Sequence, residues 1–256
     1  MIFLWRVFGE SWRYSVSSFF NSFRVTRSGG RCNSHLSREH MSFPFKYKDE
    51  RGLDISRKYP FVPINGQVLG FGEVHLWGWL FSGRKDTCAM VQRIAGVYSG
   101  STPRKVRLRY LPGGKPHFGR KGPHFSLSHT DGRVLAAFSR FSIGLDIEKE
   151  SRSVSANKIA RRCFHSSECL ALASCPQENL QKIFLRMWVQ KEAAVKLAGE
   201  GIALGLKKIK IKTNTPSWRV YRQDRRLHIK EINPWPGIVG ALASECQFIV
   251  TVFREN

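Results

Sequence analysis

The chain has 256 residues, enough for one large domain or two fused similar halves around a substantial core. Its formal net charge of +23 and pI near 10.3 mean that long-range attraction favours a negative partner, whether nucleic acid, an acidic protein, a phosphorylated ligand or an anionic membrane. Six cysteines without a C-x-x-C pair or a histidine at zinc-like distance argue against a zinc site or a disulfide scaffold and suit reduced thiols inside a cell, and no apolar run reaches the roughly 18 to 20 residues of a membrane span.

Residues 1–65 are expected to be a poorly structured N-terminal extension. Within it, residues 1–40 are rich in Arg, Ser and aromatics, have Glu10 and Glu39 as their only acids, and stop just before Met41. Two readings stay open: an organellar transit segment, or translation that starts at Met41. From Gly66 the pattern becomes orderly. "VHLWGWLF" reads as a strand, and "KDTCAMVQRIAGVY" as a helix, because Ala89, Met90, Ile94 and Val97 recur near helical spacing. "KVRLRY" alternates like a strand and "PGGKP" breaks it. "HFSLSH" and "RVLAAFS" flank Thr130-Asp131-Gly132, a hairpin signal, and "SIGLDIE" follows as a strand.

A helix is expected from Ala156 to Ser174 and another from Ile183 to Ala198, ending at Gly199. The tail offers the strands "KKIKIK", "WRVYR", "LHIKEIN", "GIVGALAS" and "QFIVTVF". Strand, helix and strand thus occur twice.

Two stretches carry chemistry. In "SIGLDIEKE", alternation puts Asp146 and Glu148 on one face of a strand while Ile143, Leu145 and Ile147 point into the core. Two like charges side by side repel, and oxygen ligands at this spacing suit Mg²⁺ better than a soft metal. A solvated edge beside Lys149 is the plainer alternative. In "MWVQKEAAVKLAGEG", Trp188, Glu192 and Lys196 recur every four residues and share one helix face. Either this is an ordinary Glu–Lys pair beside a core tryptophan, or Glu192 adds a third oxygen ligand while Lys196 meets charge on a phosphoryl group.

"GKP" at 114–116, "FSLSH" at 125–129, "GLDIE" at 144–148 and "WVQKEAAVK" at 188–196 occur in that order. Together they resemble the motifs of the 4'-phosphopantetheinyl transferases, in the larger pseudo-dimeric branch, over roughly residues 70 to 245. The resemblance implies an α+β fold of two similar halves related by a pseudo-twofold, residues 66–128 and 129–256, with coenzyme A in the cleft between them and the metal ligands in the second half. It also implies a reaction: transfer of the phosphopantetheine arm of coenzyme A to a serine of an apo acyl or peptidyl carrier protein, releasing adenosine 3',5'-bisphosphate.

Carried over by matching positions, Asp146, Glu148 and Glu192 bind Mg²⁺ with the diphosphate of coenzyme A, and Lys196 sits near the same diphosphate. Lys115, Ser128 and His129 contact nucleotide phosphates, and Glu192, or a metal-bound water beside it, is the expected acceptor of the serine proton. Fatty acid, polyketide or nonribosomal peptide synthesis is the implied setting. A cytoplasmic monomer without membrane or nucleic-acid partner is expected, or a mitochondrial one if residues 1–40 are a transit segment.

One departure concerns the first half. The family has a longer segment between the first strand and first helix, whereas here "WLFSG" runs almost directly into Arg84, which aligns with a family arginine near the nucleotide. A Mg²⁺-dependent nuclease would also use an acid pair with a lysine, but it would want that lysine two residues after the second acid, where this chain has Glu150. A non-catalytic nucleic-acid binder would explain the charge, yet no zinc finger, basic heptad helix or aromatic RNA-binding pattern is present.

Overall fold

A computed structural model describes residues 69–119, 122–199, 205–213 and 218–254. The expected N-terminal extension lies outside the described residues. The fold is mixed α+β. Strand β1 (Glu73–Leu80) is buried along most of its length, and only Phe81, Ser82 and Gly83 separate it from helix α1 (Arg84–Tyr98). The apolar positions Met90, Val91, Ile94 and Ala95 of α1 are buried. Its last residue ties it to β1, because the Tyr98 hydroxyl lies 2.8 Å from both Trp77 Nε1 and His75 Nδ1.

The expected strand over "KVRLRY" is largely absent. A 3₁₀ turn covers Pro103–Lys105, and only β2 (Arg109–Tyr110) pairs, with β3 (Pro116–His117), in a short ribbon. The carbonyl of Val106 accepts from Gln92 Nε2 of α1 at 2.9 Å, so the alternation there docks the segment on a helix. Strands β4 (His124–Thr130) and β5 (Arg133–Ser139) form the expected hairpin, with Asp131 and Gly132 both left-handed at φ 49° and 71°.

Strand β6 (Gly144–Lys149) leads into α2 (Ala156–Cys163) and α3 (Ser166–Ala173), where one helix was expected. The break falls at Phe164 and His165. His165 caps α3, its ring nitrogen accepting from Ser167 N–H while the Glu168 carboxylate accepts from His165 N–H at 2.8 Å, so the sequence supplies a helix start in mid-run. Helix α4 (Gln177–Ala198) begins earlier than the expected Ile183 and ends at Gly199, left-handed at φ 73°. Strands β7 (Ile209–Lys212), β8 (Arg219–Arg222), β9 (Arg225–Trp235), β10 (Ile238–Ser244) and β11 (Ile249–Arg254) complete the chain.

One sheet has the order β11-β1-β5-β4 and the other β6-β10-β9-β8-β7. The last strand returns to pair in parallel with the first, Glu73 opposite Ile249 through Gly78 opposite Arg254. Residue 128 lies within β4, whose hairpin keeps β5 in the first sheet. Val74, Leu76, Leu135 and Ala137 from that sheet and Ile143, Leu145, Ile147 and Leu242 from the second side form one buried cluster, which joins the two sheets. At the seam β6 is an edge strand, and serine hydroxyls of β4 satisfy its outward amides. Ser126 Oγ accepts from Leu145 N–H at 3.0 Å and Ser128 Oγ from Ile147 N–H at 3.3 Å.

Candidate active site

Asp146 and Glu148 project from β6 on the side opposite Leu145 and Ile147, which lie in the inter-sheet core. Helix α4 packs closely on β6 because of Gly144. An added Cβ there would overlap the backbone oxygen of Ala193, so only glycine permits the approach that brings the Glu192 and Lys196 turns of α4 alongside the strand.

Lys196 Nζ lies 2.6 Å from Asp146 Oδ1 and 3.2 Å from Ser128 Oγ, and Ser128 donates to the same Asp146 oxygen at 2.8 Å. Glu148 is held by Arg152, four residues on. Glu192 is 2% exposed, and among the described residues neither of its carboxylate oxygens has a hydrogen-bond partner; Asp146 Oδ2 also lacks one. Three acidic oxygens are therefore buried and unpaired at one place, which is costly unless something else is held there.

The electrostatics follow from that crowding. Burial first, then the charges of Asp146 and Glu148, push the Glu192 carboxyl up to about 8, against the pull of Lys196. Burial and Asp146 likewise raise Glu148, although Arg152 opposes them. For Lys196, burial disfavours the charge, but Asp146 and Glu192 outweigh it and hold the ammonium above its ordinary range.

Among the described residues no three His, Cys, Asp or Glu side chains stand as a formed metal cluster. Instead Arg152 and Lys196 each hold one acid. The donor set nevertheless fits a hard cation, because every candidate ligand is a carboxylate and three of the oxygens have no protein donor.

The remaining expected residues are placed as follows. His129 is in β4, its ring stacked on Phe81 at 5.5 Å; burial, then Lys196, lowers its pKa while Asp146 opposes. Lys115 is engaged within the protein, Nζ donating to the carbonyls of Ile143 and Leu197 at 3.1 Å each, and burial lowers it to about 8. Arg84 is exposed at the first position of α1, three residues beyond Phe81. Trp188 is 5% exposed and stacks in an aromatic core with Phe184 and Phe164.

The sequence reading missed Arg152, Ser126 and the close approach at Gly144. Arg152 sits at i+4 from Glu148, a spacing that signals pairing in a helix but not after a strand. A turn closed by Arg152 N–H to Lys149 C=O at 3.0 Å brings it back. Alternation did carry Ser126, which shares the face of Ser128.

Residues 142–235 match the family model of the 4'-phosphopantetheinyl transferase superfamily. This segment is similar to the 4'-phosphopantetheinyl transferase superfamily. It includes β6, all of α4 and strands β7 to β9, and so all three acids and Lys196. The 4'-phosphopantetheinyl transferase HetI of Nostoc sp. is 38% identical over 120 residues, which cover 44% of this chain and 50% of that protein. The 4'-phosphopantetheinyl transferase gsp of Aneurinibacillus migulanus is 32% identical over 40% of this chain and 43% of its own length. Sfp of Bacillus subtilis, also named a 4'-phosphopantetheinyl transferase, is 35% identical over 32% of this chain and 36% of its own. The chain thus spans half or less of the length of these relatives. These matches do not favour a nuclease or a nucleic-acid binder.

Proposed function

We propose that the chain transfers the 4'-phosphopantetheine arm of coenzyme A to a serine of an apo acyl or peptidyl carrier protein, releasing adenosine 3',5'-bisphosphate. The observation that carries this reading is the buried acidic centre, in which Asp146 and Glu192 hold three oxygens without a partner among the described residues, beside Lys196 and inside the segment that matches the superfamily model. Asp146, Glu148 and Glu192 would hold Mg²⁺, which when bound supplies positive charge against the diphosphate.

The chain's own groups do the rest. Lys196, kept protonated by its acidic neighbours, neutralises charge that builds as the diphosphate bond breaks. Ser128 fixes both Asp146 and Lys196 through one hydroxyl. Glu192, or a water held by the metal beside it, is assigned to take the proton of the attacking serine. Arg84, Lys115 and His129 are assigned to the nucleotide phosphates; Lys115 would exchange its two backbone carbonyls for phosphate oxygens.

The same reading takes residues 66–128 and 129–256 as the two transferase halves, after an extension at 1–65. It expects a monomer in the cytoplasm, or in the mitochondrion if residues 1–40 direct it there. In support, each sheet is served by a strand that leads into a helix, β1 into α1 and β6 into α2. The test is direct: the protein is incubated with Mg²⁺, coenzyme A and apo carrier proteins, and the carrier is weighed by mass spectrometry. A carrier heavier by one phosphopantetheine arm is expected, with the gain lost in Asp146→Ala. Unchanged mass across several carriers, where a working transferase modifies them, would overturn the reading.

A further inference from the structure

The face of the first sheet that carries α1 ends in an aromatic pair. His75 and Trp77, which meet Tyr98 of α1, share that face of β1 with Trp79 by alternation. Trp79 stands opposite Val134 of β5, and Val134 opposite His129 of β4, so the same face extends to the His129 imidazole. Just beyond β1, Phe81 donates its N–H to the Gly132 carbonyl of the β4–β5 turn at 2.8 Å. Its ring lies on His129, with centroids 5.5 Å apart and planes 20° from parallel. Trp77 and Trp79 are buried, whereas Phe81 is 43% exposed and Leu80 before it 64%. A ring fixed by its backbone and by an imidazole, yet left this exposed, is a platform that a further flat group can cover.

The groups beside the pair suit a phosphorylated ligand. His129 follows Ser128, whose hydroxyl joins Asp146 and Lys196, and the imidazole feels both of those charges. Arg84, three residues after Phe81, is exposed at the start of α1. We propose that Phe81 stacks on the nucleobase of coenzyme A, adding a third ring to the His129–Phe81 pair, and so sets the preference for a base at that end of the co-substrate. This rests on the reading that coenzyme A is the co-substrate, with Arg84 and His129 at its phosphates. Every base has a π face, so the ring selects for the presence of a base rather than for adenine in particular.

The test is titration calorimetry of the full chain with adenosine 3',5'-bisphosphate and with ribose 3,5-bisphosphate, which keeps both phosphates and lacks the base. The wild type is expected to bind the adenosine compound on the order of tenfold more tightly or better, the range that stacking on one aromatic side chain supplies. In Phe81→Ala that ratio should fall to near one through loss of adenosine binding alone, and KM for coenzyme A should rise by a similar factor. Phe81→Trp should restore the ratio. Melting temperatures are read alongside, and if the alanine variant does not fold, Phe81→Leu keeps apolar bulk without a π face and should show the same fall. An unchanged ratio in a folded variant would overturn the proposal. Equal losses for the two ligands would also overturn it, since Phe81 would then only hold His129 in place. Failure of both ligands to bind the wild type would overturn it as well, and the carrier-mass assay on the same preparation shows whether the transferase reading falls with it.

Discussion

Lys191 and Glu192 are neighbours on α4 and almost equally buried, at 0% and 2% exposed, yet the fold treats them in opposite ways. Lys191 points at a complete set of partners: its ammonium lies 2.7 Å from Glu168 Oε2 and donates to the Ile209 carbonyl. Glu168 in turn accepts from His165 N–H and, at 2.7 Å, from Ile211 N–H. One buried ion pair thus ties α3, α4 and β7 together. Glu192, a quarter-turn around the same helix, has no hydrogen-bond partner for either oxygen among the described residues. A buried charge with every partner present holds architecture in place, whereas Glu192 is the carboxyl that the proposed function assigns to the metal.

Removing one member of the satisfied pair should have the largest effect. Lys191→Met leaves the Glu168 carboxylate buried without its cation, a loss of roughly 3–5 kcal/mol. Urea denaturation should show a marginal fold or none. Adding Glu168→Leu should recover only part of this, because the amides of His165 and Ile211 then lose their acceptor. Full recovery in the double variant would mean that Glu168 serves the lysine alone.

The unsatisfied side should respond with the opposite sign. Glu192 ionises near the ordinary glutamate value of 4.5 when unfolded and only at about 8 when folded, so between those values the folded state holds a proton that the unfolded state has released. Stability of the metal-free protein should therefore be greatest below pH 4.5 with respect to this group, fall as pH rises toward 8, and level off above it. Glu192→Gln removes the titration. At pH 8 it should stabilise the metal-free protein by on the order of 1–3 kcal/mol while abolishing carrier modification. Thermal melts from pH 5 to 9 check it; a destabilised variant with the same pH slope would show that Glu192 is not the strained group.

The contrast between these neighbours is only half legible in the sequence. The period of four places Glu192 with Lys196, and alternation places Asp146 with Glu148, because both follow from local backbone geometry. The Lys196 to Asp146 contact at 2.6 Å agrees with that geometry. Glu168 with Lys191 is not readable that way, since the partners lie on different helices and meet only after α2 and α3 break at His165. "H-S-S-E" has the spacing of a capping box, but with histidine in place of the usual Ser or Thr. The pairing of β11 with β1, across most of the described chain, likewise depends on tertiary packing rather than on pattern. "KVRLRY" alternates correctly and is still not a strand for most of its length, because its one buried apolar residue, Val106, faces a helix that also takes its carbonyl.

The smallest expected effect separates two serines that strand alternation alone does not tell apart. Ser126 and Ser128 stand on the same face of β4, and each accepts one amide of the β6 edge, from Leu145 and Ile147. Replacing either by alanine strands one buried N–H and should cost about 1 kcal/mol. Ser128 alone also donates to Asp146 and accepts from Lys196, so its hydroxyl orients the acid and the base against each other. Ser128→Ala should therefore lower kcat for carrier modification several-fold beyond any effect of Ser126→Ala, while urea midpoints of the two variants stay close. Equal losses of rate in the two would reduce Ser128 to a seam residue like its neighbour; a loss confined to Ser128→Ala would show that the seam between the sheets also aligns the charged centre.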